Sequence, residues 1–354
     1  MHKQLGVICA MAALAAIPAA TQTRIPPPAQ ESAAGAPLRS ARPAVDVVDE
    51  VGRRVTIPGE VRRIVTLAPS LTETIYALEL QDRLVGDTDY CDYPPEAQTK
   101  PHVGGPMNPN AERIVSLHPD LVLATRQGNR LETVEALTRL GLPVYATDPK
   151  SVDEVIESAR RLGAVLGARE RGEALALELR ARLAEIKRRI GAQPARRVFF
   201  VVWPDPLISI GKNTFLADAL RRAGAESVVE TAQDWPRLSI EEVIRQQPEY
   251  LVFSSSHFEE ASRTVEDLRE RAGWRALEAI REHRIAVVSD AVNRPSPRLV
   301  DAIEQLARQL HPEAFAPGSD KPGGEKGKTK FATLPPLAHF PRPSITAEGA
   351  RCAR

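Results

Sequence analysis

An excess of charge of one sign is missing from this chain. Forty-seven lysines and arginines face 46 aspartates and glutamates, a formal net charge of +1. A dedicated nucleic-acid binder needs a basic excess to neutralise phosphates, so the balance argues against that class. Cysteine is scarce: only Cys9, Cys91 and Cys352 occur. Cys9 lies in an N-terminal apolar run, and two remaining thiols cannot build a disulfide framework or a Cys-based zinc site, although one Cys91–Cys352 bridge stays open. Aromatics make up 5% of residues, so each Trp or Tyr beside a pocket carries more weight. The seven histidines are scattered without ligand spacing, and there is no Gly-x-Ser-x-Gly elbow, His-Glu-x-x-His, P-loop or Rossmann fingerprint. No catalytic constellation, no metal site and no cofactor is expected.

The main long apolar run is at the start. Met1-His2-Lys3-Gln4 supplies a positive beginning, and residues 5–20 are rich in Ala, Val, Leu and Ile. Residues 1–20 therefore read as a cleaved signal peptide, too short and too Ala-rich for a permanent membrane span, with no cysteine just after it to carry a lipid. The expected location is periplasmic. Residues 21–44, rich in Pro, Ala, Ser and Gln, read as a disordered linker, and 316–354, with Pro-Gly-Ser-Asp and Lys-Pro-Gly-Gly, as a disordered tail. Neither holds enough apolar surface to offset ordering entropy.

What the chain does have is a pattern that occurs twice. Asn110-Ala-Glu112-Arg-Ile-Val-Ser-Leu-His-Pro119-Asp-Leu-Val-Leu is echoed by Ser239-Ile-Glu241-Glu-Val-Ile-Arg-Gln-Gln-Pro248-Glu-Tyr-Leu-Val. Each copy spells a capped short helix, a proline that stops it and a buried strand. Around the copies, strands and helices alternate with short loops. Strands are expected at 63–67, 121–124 and 144–146, then at 197–202, 251–253 and 285–288, after a hairpin at 47–57. Between the two halves, 152–190 is almost continuously helical, interrupted at Gly163 and Gly167. The fold class is α/β: two α/β lobes with mostly parallel sheets joined by one long rigid helix, with the ligand cleft between the lobes. The expected boundaries are 45–150 for the first lobe, 151–191 for the helical spine and 192–315 for the second lobe. Two lobes with one matched carboxylate each suit a clamp for a small ligand better than a one-domain enzyme.

Five segments stand out: Arg63-Ile-Val-Thr-Leu-Ala-Pro-Ser70-Leu-Thr-Glu73, Asp92-Tyr-Pro-Pro-Glu-Ala97, the Asn110 repeat, Trp235-Pro-Arg-Leu-Ser-Ile-Glu-Glu-Val243 and Arg294-Pro-Ser-Pro-Arg-Leu-Val300. Together they resemble the helical-backbone substrate-binding proteins of ABC importers, the class that delivers cobalamin, haem and ferric siderophores, and most of all its cobalamin-binding members. The likeness spans about 47–312. It implies a periplasmic receptor, not an enzyme, that acts as a monomer, captures a corrinoid and hands it to a permease dimer at the inner membrane. Glu112 and Glu241 stand where the family pairs glutamates with permease arginines. Acids in a first helical turn also favour the helix dipole without any partner.

The cleft should be built from loops at strand ends. Candidates in the first lobe are Ser70, Leu71, Tyr90, Pro106, Met107, Arg126 and Asn129. The second lobe offers Trp203, Trp235, Asp290, Asn293 and Arg294. A corrin wants flat apolar walls and a few polar groups for its amides, and Tyr90 and Trp235 stand where the family's cobalamin binders place aromatic walls. Trp235 also has a structural alternative, a core anchor before a helix. The family carries aromatics where this chain has Pro106 and Ala291, which leaves haem or a ferric siderophore as alternative cargo. Haem needs an axial Tyr or His, from Tyr90, Tyr93 or His102. A siderophore would lean on Arg126 and Arg294. An exported enzyme or sensor domain is the remaining alternative.

Overall fold

The computed structural model describes residues 43–256 and 265–316. The expected signal peptide and the tail from 317, with Cys352, lie outside them. An antiparallel hairpin opens the described chain, Val45–Val48 against Arg54–Ile57, with Gly52 at φ 85° in its turn.

Two four-stranded parallel sheets follow. The first has the order Leu84–Gly86, Ile64–Thr66, Leu121–Thr125, Val144–Thr147. The second has the order Ala225–Ser227, Arg196–Val201, Tyr250–Ser254, Ile285–Val288. In both, the earliest strand is flanked by the second and third, so the lobes share one topology. Their inner strands are buried on both faces, as parallel sheets covered on both sides require. In the first sheet Ile64, Leu121 and Leu123 face one core, while Val65, Val122 and Ala124 face another.

The expected spine is two helices. Val152–Val165 ends at a turn where Gly167 takes φ 74°, and Arg169–Ile190 then folds back against it. The glycines explain the close crossing: a Cβ on Gly163 would stand 2.9 Å from the Gly172 Cα. The bridging element is the 22-residue second helix alone, roughly 33 Å long at 1.5 Å per residue. Near its start Arg171 donates to the Ala77 carbonyl in the first lobe; further on, Arg182 pairs with Asp301 in the final helix, Leu299–Leu310.

One apolar core runs through both lobes along this helix. It joins Leu121 and Leu123 of the first sheet to Leu175, Leu179, Leu183 and Ile186, and these to Val198, Phe200 and Val252 of the second. The junction is therefore a packed interior and not an extended linker.

Candidate functional site

In open parallel sheets, ligands bind outside the carboxyl ends of strands, where neighbouring strands send their connections to opposite sides. That point lies between Ile64–Thr66 and Leu121–Thr125 in the first lobe, and between Arg196–Val201 and Tyr250–Ser254 in the second. The sequence candidates all fall in segments that follow strand ends. Ser70 and Leu71 follow the 64–66 strand, while Tyr90, Pro106 and Met107 follow 84–86. Arg126 and Asn129 come after 121–125, Trp203 after 196–201, Trp235 after 225–227, and Asp290, Asn293 and Arg294 after 285–288.

Their exposure and bonding differ. Tyr90 is 64% exposed, Met107 52%, Trp235 46% and Trp203 36%, so each presents apolar surface to solvent. Leu71 is buried in the core of helix Pro69–Ala77 and presents no wall, and Ser70 beside it is buried too. Asn129 acts as a clamp: its Oδ1 accepts from the Thr125 amide, and its Nδ2 donates to the Leu67 and Pro106 carbonyls. It thereby fixes the loop that carries Pro106 and Met107. Asp290 accepts from the hydroxyls of Ser255 and Ser256 and from the Ser256 amide. Arg126 is exposed, with Asp148 at 3.5 Å. Asn293 is half-buried.

Arg294 is the exception, because it crosses to the other lobe. Its Nη1 donates to Glu73 Oε1 at 2.8 Å and to Asp92 Oδ1 at 2.6 Å. Glu73 also accepts from Arg298 Nη1 at 3.0 Å and from Ser296 Oγ. The Arg298 guanidinium lies 3.3 Å from the Tyr93 ring centroid. Arg294 is thus the centre of a polar junction between lobes, not a free cation. Glu73, Asp92, Ser296 and Arg298 are absent from the sequence candidates. Residues 70–75 of helix Pro69–Ala77 are all buried, so the Glu73 carboxylate among them must find partners, a requirement that shows only once the helix is packed.

The loop that carries Tyr90 and Asp92 rests on a second polar chain. Cys91, a buried free thiol, contacts the hydroxyls of Thr72 and Thr88. Asp87 is fully buried; its Oδ1 meets His102 Nδ1 at 2.7 Å, and its Oδ2 has no hydrogen-bond partner. Burial pushes the Asp87 carboxyl up to about 6, against the pull of His102. A carboxyl raised in the folded state binds its proton more tightly there than in the unfolded chain. Its contribution to stability is complete below about pH 4 and is lost as pH rises through about 6. Asp87→Asn should therefore raise stability at pH 7 by roughly 2 kcal/mol and flatten the pH dependence across that window. Urea unfolding of both proteins at pH 5 and 7.5 checks this; a wild-type stability that climbs with pH more steeply than the variant's would refute it.

The repeated motif shows the same symmetry at atomic detail. Asn110 Oδ1 accepts from the Arg113 amide and caps Ala111–Ser116. Ser239 and Glu242 form a reciprocal capping box on Ile240–Gln246. Each helix ends in a left-handed residue before its proline, His118 at φ 45° and Gln247 at φ 41°. Each end is held by an arginine from the neighbouring strand: Arg63 donates to the Leu117 and His118 carbonyls, Arg197 to those of Gln246 and Gln247. Glu112 and Glu241 are exposed in the first turns, and neither pairs with a cation among the described residues.

Another concavity lies away from these loops. About 650 Å³ opens against the bridging helix, lined by Arg180, Lys187, Asp218 and Arg222 among others. It has no aromatic wall, and Arg222 is already paired with Asp153 at 2.6 Å, so it suits a flat macrocycle poorly.

A family model described as periplasmic binding protein matches residues 64–291. The chain belongs to the periplasmic binding protein family, a family of substrate-binding proteins. An ABC transporter substrate-binding lipoprotein of Bacillus subtilis (strain 168), YvrC, is 32% identical over 279 residues, covering 77% of this chain and 87% of the relative. A vitamin B12-binding protein of Vibrio cholerae is 30% identical over 256 residues, 72% of this chain and 90% of the relative. Among solved structures, the periplasmic haem-binding protein RhuT of Roseiflexus sp. RS-1 in apo form aligns with a TM-score of 0.64 at 28% identity, covering 72% of this chain and 99% of the other. No helix among the described residues is long and apolar enough to cross a membrane.

Proposed function

We propose that the protein is an exported, monomeric receptor that captures cobalamin between its lobes and delivers it to a membrane ABC permease. The observation that carries this reading is a pair of exposed aromatics, Tyr90 from one lobe and Trp235 from the other, in loops after strand ends. They stand on a scaffold whose relatives include a vitamin B12-binding protein. Aromatic faces and few free charges suit a corrin with neutral amide arms. Met107 and Trp203 supply further apolar surface. Glu112 and Glu241, matched in cap and orientation, are the proposed contacts to the permease.

Haem is the second reading, favoured by the likeness to RhuT. Of its three axial candidates, Tyr93 has Arg298 stacked on its ring and His102 is held by Asp87, which leaves Tyr90, the more exposed of the two tyrosines. A siderophore reading finds Arg294 held by Glu73 and by the exposed Asp92, so an anionic chelate has to displace Asp92 first. An exported enzyme gains no support from any cluster of reactive groups described above.

Calorimetric titration with cyanocobalamin and haemin separates these readings. Trp235→Ala should weaken cobalamin binding by about 1–3 kcal/mol, the usual worth of one large apolar contact, with the melting temperature of the empty protein nearly unchanged. A large loss of melting temperature at unchanged affinity would make Trp235 a structural anchor. Tight haemin binding without cobalamin binding would move the cargo to the second reading.

A further inference from the structure

The cross-lobe cluster contains two anions, Glu73 and Asp92, and two cations, Arg294 and Arg298, so its charges cancel. Its two carboxylates are held very differently. The Glu73 side chain is 1% exposed and bonds to both arginines and to Ser296, so no solute can take its place. Asp92 is 59% exposed and bonds to the cluster only through Arg294 Nη1. The Nε and Nη2 groups of Arg294 make no hydrogen bond among the described residues, although a guanidinium offers five donors in a planar fork. Both Asp92 and Arg294 sit in loops after strand ends, with Tyr90 two residues away.

We propose that Arg294 is the centre of an anion subsite in the cleft and that Asp92 is its internal occupant, displaced by a carboxylate or phosphate on the cargo. The proposal rests on the cleft being the cargo site and adds a residue that sets specificity. In the empty protein Asp92 keeps the cluster neutral. When Asp92 swings out, Glu73 still anchors Arg294 and the cluster carries one net positive charge in a partly dry setting, ready for a bidentate anion. A ligand without an anionic group cannot make the exchange, so Asp92 works against neutral look-alikes.

The test compares wild type with Asp92→Asn, and with Asp92→Ser should the first variant misfold. The probes are haemin, its dimethyl ester, cyanocobalamin and cobinamide, which lacks the phosphodiester, followed by quenching of tryptophan fluorescence. Without its competitor the subsite should bind the member of each pair that carries the anionic group about tenfold tighter, the order of one charge contact in a partly buried site, and the member without that group no tighter. A gain on haemin but not on its ester assigns a carboxylate; a gain on cyanocobalamin but not on cobinamide assigns the phosphodiester. A second arm needs no cargo: at constant ionic strength, inorganic phosphate should raise the melting temperature of Asp92→Asn and not that of wild type, and Arg294→Gln should abolish the response. Failure of wild type to bind any tetrapyrrole would sink the cargo reading, while the phosphate arm would still decide the subsite. If Asp92→Asn gains neither affinity nor a phosphate response, the subsite does not exist.

Discussion

Replacing Glu73 by alanine should lower the unfolding free energy by about 3–5 kcal/mol, the usual loss when one member of a buried ion network is removed. The carboxylate is the common acceptor for Arg294, Arg298 and Ser296, which come from a segment more than two hundred residues away. Arg294 keeps Asp92 and Arg298 keeps the Tyr93 ring, so the lower end of the range is the better expectation. Urea unfolding followed by circular dichroism reads the effect; a loss below about 1 kcal/mol would show that water replaces the bonds at little cost. The radius of gyration should stay nearly constant, because the apolar core along the bridging helix continues to hold the lobes. A marked expansion in solution scattering would instead make Glu73 the main tie between them.

Reversing charge at Glu112 and Glu241 together should leave ligand affinity nearly unchanged and cut transport through the cognate permease to near background. Like charges placed across an interface cost several kcal/mol, and two sites act at once. The stability cost is small, about 0.3–1 kcal/mol per helix for losing an acid near the positive end of the dipole. The caps on Asn110 and Ser239 are untouched, so both short helices should keep their place. Reconstituted vesicles with the permease and labelled ligand measure transport, and calorimetry measures binding. Collapse of ligand binding in the variant would move these glutamates from the partner surface to the pocket or the fold.

Much of the fold is legible along the chain because the forces that make it act within a few residues. Asn110 caps the amide three residues on, and Ser239 and Glu242 close a box within one turn. Apolar runs such as Leu-Val-Leu-Ala at 121–124 and Ile-Ala-Val-Val at 285–288 define buried strands by composition alone. Tyr90 and Trp235 stand out along a chain with few aromatics, and both are exposed. The break in the spine was half legible. Gly163 and Gly167 mark it, but only the close approach of Gly163 to Gly172 turns an interruption into a reversal.

The residues that join the lobes could not be read in this way. Arg294 reads as a cleft cation in sequence and Arg298 and Glu73 as ordinary surface charges, since a charge reveals its burial only once its partner is known. Asn129 reads as a cleft donor, yet folding brings three backbone groups within reach of its one amide. The sequence by itself determined the two α/β lobes, their repeat, their caps and the matched glutamates, because hydrogen bonds and apolar periodicity at short range specify them. Which charges close the junction at the cleft was settled by tertiary packing alone, because those contacts span 202 to 225 residues and leave no local trace.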